Sequence, residues 1–207
     1  MPSTKRCVLS YFFIAVLIVL VDQLIKVWVH SNMLMGPVGR IKLIGEWFKL
    51  HYILNPGMAF GLKLGAKYGK LALTLGRIFA TFLIGYYICN LARKMTSRIV
   101  LLGWSFVFGG ALGNVIDSTF YGVVFKNCLP GSVSPWFHGQ VIDMFYFDLL
   151  EARIPCWIPF FGGNYLCIFP IFNFADLAIM IGVALLLYDK NKKEVNATKT
   201  KNVEEVI

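Results

Sequence analysis

The stretch from Ile99 to Asp117, IVLLGWSFVFGGALGNVID, decides the fold: it stays apolar for most of its length and closes on a carboxylate. About 20 such residues suffice to cross a bilayer as a helix. Working outward, three more stretches have the same character, at about 8–29, 71–91 and 168–188. The whole chain is 57% hydrophobic and only 15% charged, with a mean hydropathy of +0.67, which no soluble core of this size could hide. The expectation is a membrane all-α bundle of four transmembrane helices.

Four spans place both termini on one side. Basic residues close to the spans set the side. Lys5 and Arg6 precede the first span, Arg93, Lys94 and Arg98 fill the link between the second and third, and Lys190, Lys192 and Lys193 follow the fourth. That face is read as cytoplasmic. The opposite segments are longer, and Gly36 to Lys70 is itself basic. Residues 1–29 begin like a signal peptide, but the apolar run ends in Asp22-Gln-x-x-Lys26 rather than at a small-residue cleavage site, so the segment is read as a retained span.

The net charge of +9 is scattered and partly confined to a polar tail, without a basic stripe interleaved with aromatics. That excludes a nucleic-acid partner and fits attraction to anionic lipid headgroups, so membrane lipids are the expected surroundings. The five cysteines contain no C-x-x-C pair. Cys128, Cys156 and Cys167 share the long outer segment, which permits one disulfide at most. His30, His51 and His138 lack metal-binding or triad spacing and are read as interfacial, so neither a metal nor a cofactor is expected.

Between the first two spans, Arg40 to Tyr52 (RIKLIGEWFKLHY) alternates apolar and polar residues and leads into Asn55-Pro56-Gly57. This predicts short strands and a turn, a small extracytoplasmic β platform. Segment 118–167 is rich in Gly, Pro, Phe and Trp, which breaks helices yet stays greasy, and is read as an interfacial cover. Residues 1–188 form one domain, and 189–207 are expected to be a flexible polar cytoplasmic tail.

Charged side chains at membrane depth cost about 2.5 to 3.5 kcal/mol each on insertion scales, so each invites a functional reading. Asp22, Asp117 and Asp176 lie in or at the ends of spans, and Asp143 sits in the apolar run Val141-Ile-Asp-Met-Phe-Tyr-Phe147. Asn114-x-x-Asp117 closes the third span and Asn173-x-x-Asp176 opens the fourth. Residues three apart share a helix face, and antiparallel neighbours bring these two ends together. Two close carboxylates share one proton and can activate water against a carbonyl, which is aspartyl peptidase chemistry. The same acids would also suit a cation path through the membrane, or plain capping of helix ends. Ion flux in liposomes without peptide cleavage would mark the cation path.

Five ordered motifs then resemble one family, the bacterial lipoprotein signal peptidases, signal peptidase II. They are Asp22-Gln-Leu-Ile-Lys26, Asn55-Pro-Gly-Met-Ala-Phe-Gly61, Gly109-Gly-Ala-Leu-Gly-Asn-Val-Ile-Asp117, Val141-Ile-Asp-Met-Phe145 and Phe172-Asn-Phe-Ala-Asp176. The resemblance implies an aspartyl endopeptidase without a metal, which removes the signal peptide from a prolipoprotein by cutting before its diacylglyceryl-cysteine at the outer face of the bacterial cytoplasmic membrane. It puts the catalytic pair on Asp143 and Asp176. Supporting or substrate-binding roles fall on Asp22, Lys26, Asn55, Gly57, Asn114, Asp117, Asn173 and Ala175. It implies no obligatory oligomer.

The chain departs from the family at one site position. Many members carry Arg directly after the aspartate matching Asp117; here the residue is Ser118. Arg77, Lys26 and Arg153 are the candidates to supply the missing cation. The stretches flanking Asp143 are also longer than is common in the family.

Overall fold

The computed structural model describes residues 4–57, 68–94, 96–148, 151–153, 165–167 and 170–204. Four helices, α1 (Thr4–Asn32), α2 (Gly69–Arg93), α3 (Arg98–Val124) and α4 (Phe174–Glu204), pack around α3. Three of them are long and apolar enough to cross a membrane: Val8–Asn32 within α1, and the whole of α2 and α3. Their outward faces are greasy, with Phe13, Leu24, Phe79 and Phe82 exposed, as a lipid-facing surface requires.

The fourth expected span differs from its prediction. Residues 170–173 are not helical, and α4 begins only at Phe174. Its apolar part, Phe174 to Tyr188, is therefore about 15 residues, ~22 Å of helix, shorter than the other three. Past Tyr188, where a flexible tail is expected, the backbone stays helical to Glu204. No Gly or Pro interrupts this segment, and Asp189–Lys193 and Lys190–Glu194 form pairs one turn apart. At the other end of the bundle α3 runs two turns beyond its expected stop at Asp117, because Ser118 to Val124 contain no proline and Gly122 is tolerated within the helix.

Small residues let the helices touch. A Cβ at Gly110 would stand 2.3 Å from the Ala175 carbonyl oxygen, so α3 and α4 meet backbone to backbone. Gly109 lies likewise against Ala15 of α1.

The expected platform forms, with a strand more than the local pattern suggested. β1 (Ile41–Ile44) and β2 (Phe48–Asn55) make an antiparallel hairpin, and β3 (Val141–Phe147) adds antiparallel to β2, with Ile53 opposite Asp143. One face of β3, Ile142 and Met144, packs with Leu50 and Tyr52 onto Val29, Met33 and Tyr121. The other carries Asp143, Phe145 and Phe147. A second antiparallel pair, β4 (Glu151–Arg153) with β5 (Tyr165–Cys167), belongs to the segment between α3 and α4.

The described part of the cover, 125–140, folds back on α3, with Phe137 N–H donating to the Thr119 carbonyl and Gly139 N–H to that of Ser118. This packing buries His138, and the sheet buries His51, so neither lies at an open interface as expected. Cys89 and Cys128 are free thiols; the side chains of Cys156 and Cys167, and the motif segment Met58 to Gly61, lie outside the described residues.

Candidate active site

Asp143 reaches α4 through the backbone. Phe145 and Phe172 exchange hydrogen bonds of 2.8 and 3.1 Å, which fastens the chain just ahead of α4 to the free edge of β3. The next residue, Asn173, is then the N-cap of α4. Its Oδ1 accepts from Asp176 N–H at 2.9 Å, and Asp176 Oδ2 accepts from Asn173 N–H at 3.3 Å, a reciprocal cap. The same Asn173 donates from Nδ2 to Asp143 Oδ1 at 2.6 Å. One asparagine thus positions both carboxylates.

Two further amides complete the frame. Asn55, at the end of β2, donates to Asp143 Oδ2 at 2.8 Å, and its Oδ1 accepts from Gly57 N–H at 2.7 Å. Asn114 of α3 donates to Asp176 Oδ1 at 2.8 Å and accepts from Asn173 at 3.2 Å. Asp143 is 1% exposed. Burial, with the charge of Asp176 adding, outweighs the amide bonds from Asn55 and Asn173 and pushes its carboxyl up to about 7. Asp176 remains partly open, in the first turn of a helix, where negative charge is favoured.

Asp22, Lys26 and Asp117 form a separate layer beneath, all fully buried. Lys26 Nζ lies 2.8 Å from Asp22 and 2.6 Å from Asp117, and also donates to Asn114 at 3.2 Å. Asp22 accepts from Ala175 N–H at 2.9 Å, tying α1 to the start of α4. Gln23, which the sequence reading did not single out, joins this layer by donating to both Asp22 and Asp117. Its position beside Asp22 in the span was the available signal.

On α2 the sequence reading singled out Arg77 alone. Lys70, Thr74, Arg77 and Thr81 recur at helical spacing along an otherwise apolar span, which marks one polar stripe. Lys70 donates to the Pro56 carbonyl at 2.9 Å and Thr74 to that of Phe137 at 2.8 Å. Arg77 Nη1 donates to Ser118 Oγ at 3.0 Å. Among the three candidate cations, Lys26 is sealed in its ion cluster, and the side chain of Arg153 lies outside the described residues. Arg77 is the one that reaches Ser118.

An apolar cavity of about 370 Å³ is walled by Phe145 and Phe147 of β3, the strand that carries Asp143, and by Leu177 and Met180 of α4, which follow Asp176 along the helix. The arrangement offers two acids of unlike environment, held by amides, on the same strand and helix that wall a greasy slot. It suits proton transfer to and from a substrate with an apolar part.

A family model described as Signal peptidase (SPase) II matches residues 14–191. The chain belongs to the signal peptidase II family. Curated relatives agree: the lipoprotein signal peptidase of Amoebophilus asiaticus is 52% identical over 188 residues, covering 90% of this chain and 79% of that protein. That of Porphyromonas gingivalis is 44% identical over 183 residues, covering 83% and 78%. A solved bacterial membrane enzyme, 25% identical, superposes with a TM-score of 0.60 over 87% of this chain and 91% of that one. As a family member the chain is a bacterial membrane peptidase that removes signal peptides from prolipoproteins, and the cation-path alternative falls.

Proposed function

We propose that Asp143 and Asp176 are the catalytic pair, and that the enzyme cuts the peptide bond before the diacylglyceryl-cysteine of its prolipoprotein substrate. The observation that carries this is the shared asparagine: Asn173 holds Asp143 at 2.6 Å and caps the helix turn that presents Asp176. The two acids differ in the way the chemistry needs. Buried Asp143 keeps a proton up to about 7, while Asp176 sits in the first turn of α4.

In the forward step Asp176 takes a proton from water as the water oxygen attacks the scissile carbonyl carbon, and Asp143 gives its proton to the carbonyl oxygen. The resulting gem-diol collapses when Asp176 passes its proton to the departing amide nitrogen. Asp143 recovers one from the diol, the C–N bond breaks, and both acids return to their starting forms. No cofactor takes part.

The supporting roles follow the contacts. Asn55 and Asn114 orient the pair, Gly57 shapes the loop carrying Asn55, and the Asp22, Lys26, Asp117 layer with Ala175 locks α1 and α3 under the start of α4. The apolar cavity suits the lipid part of the substrate, which enters sideways from the bilayer.

In this reading α4 crosses as a fourth span, with residues 1–188 as one peptidase domain. Both termini and the polar tail are cytoplasmic, and the site lies near the outer face of the bacterial cytoplasmic membrane. Support comes from the basic residues Arg93, Lys94, Arg98 and Lys190 at the end of the bundle opposite the carboxylates. The reading invokes neither a second copy of the chain nor a nucleic acid.

The test uses purified Asp143→Asn and Asp176→Asn enzymes with a lipidated precursor peptide. Each substitution should lower turnover by about a thousandfold or more, in line with losing a whole acid–base function. Near-normal cleavage by either would sink the assignment.

A further inference from the structure

Arg77 is a cation in an apolar span that faces acids without pairing with one. Asp176, Asp117 and Asp143 all lie within its electrostatic reach, Asp176 most strongly. Yet among the described residues no carboxylate oxygen comes within 4.0 Å of it. Among the described residues its one side-chain hydrogen bond is that to Ser118. A guanidinium has five N–H donors, and leaving most of them unmet at membrane depth is costly.

The fold makes room for this arrangement. A Cβ on Gly57 would stand 2.6 Å from Arg77 Nη2 and 3.0 Å from both Nη1 and Cζ. Only a bare backbone lets the guanidinium lie against the Asn55-Pro56-Gly57 loop, and Lys70 anchors that loop through the Pro56 carbonyl. The same Asn55 that grips Asp143 grips Gly57 N–H. The guanidinium is therefore held by the loop on one side and Ser118 on the other, near enough to feel the carboxylates yet beyond ion-pair distance of each.

We propose that Arg77 is a substrate subsite, whose free N–H groups receive a backbone carbonyl oxygen of the signal peptide lying between the Asn55–Gly57 loop and the two acids. A neutral carbonyl meets these donors without displacing the negative charge that the pair needs, and a planar fork of donors fixes the register of an extended chain. The inference rests on reading Asp143 and Asp176 as the peptidase pair. It adds a positively charged residue on α2 that none of the five motifs contains.

The test measures cleavage by Arg77→Gln and, separately, binding of the lipidated precursor to an Asp143→Asn enzyme with and without Arg77→Gln. A charge-assisted hydrogen bond predicts a fall of about 10- to 100-fold in kcat/KM and a similar weakening of binding, with the melting temperature unchanged. The penalty should persist on a precursor whose glyceryl esters are replaced by ethers, because the ligand is a peptide carbonyl. Cleavage within about threefold of wild type overturns the proposal, as does lost cleavage with unaltered binding. Disappearance of the penalty on the ether-linked precursor also overturns it, in favour of the ester carbonyls. Should Asp143→Asn itself still cleave, the catalytic assignment fails instead, a distinguishable result.

Discussion

Asn173 Nδ2 lies 2.6 Å from Asp143 Oδ1, although the two residues belong to different elements, a helix cap and the middle of a strand. Neither group could be moved without the other. Replacing Asn173 by Ala removes a grip on Asp143 and the cap of α4 together. Turnover should fall about 100-fold or more, and stability by about 1 kcal/mol, the usual worth of an Asn cap. Steady-state kinetics and thermal melts of the purified variant check both.

The pH profile should report Asp143. Its carboxyl is raised to about 7, so the protonated form needed to donate to the carbonyl dominates below that pH and is lost above it. Activity should therefore decline on the alkaline side with a midpoint near 7. Asn55→Ala removes a hydrogen bond that favours the carboxylate, so the remaining activity should hold to higher pH. A midpoint that moved downward would contradict the assignment of Asp143 as the proton donor.

Among the described residues Lys26 is the only cation paired with Asp22 and Asp117, and all three are fully buried. Lys26→Met strands two carboxylates in the bundle and should cost about 3 to 5 kcal/mol. Lys26→Met combined with Asp117→Asn should recover part of that loss, since it removes one of the stranded charges. Denaturation in graded detergent mixtures, compared across the double-mutant cycle, measures the coupling.

Gly110 touches the Ala175 carbonyl at the turn that leads into Asp176. Gly110→Val should push α3 and α4 apart at a cost of about 1 to 3 kcal/mol and lower activity, because the start of α4 carries one of the two acids. Gly76, with open space beside it, makes a matched control, and Gly76→Ala should leave activity within about twofold.

The three long spans and the β1–β2 hairpin were legible because apolar runs and alternation are local signals, and the motif residues followed from a family resemblance carried by short ordered segments. The strand character of Val141 to Phe147 was present in its aromatic and β-branched residues but was outweighed by its place in a long irregular connection. The polar stripe on α2 was equally visible at its helical spacing, yet Arg77 stood as one of three candidate cations and Lys70 as part of a scattered basic charge until the fold aimed both at the Asn55–Gly57 loop.

By itself the sequence determined that this protein belongs in a membrane, which family it joins and which acids to suspect, since length, hydropathy and motif order are written along the chain. Tertiary structure alone decided which partners those acids take. Asp22 and Asp117 both pair with the single Lys26, while Asp143 and Asp176 meet through Asn173 because the chain before α4 pairs with β3. That pairing joins residues far apart in sequence, and nothing in local propensity specifies which distant backbone will complete a strand edge or which buried carboxylate a single lysine will claim.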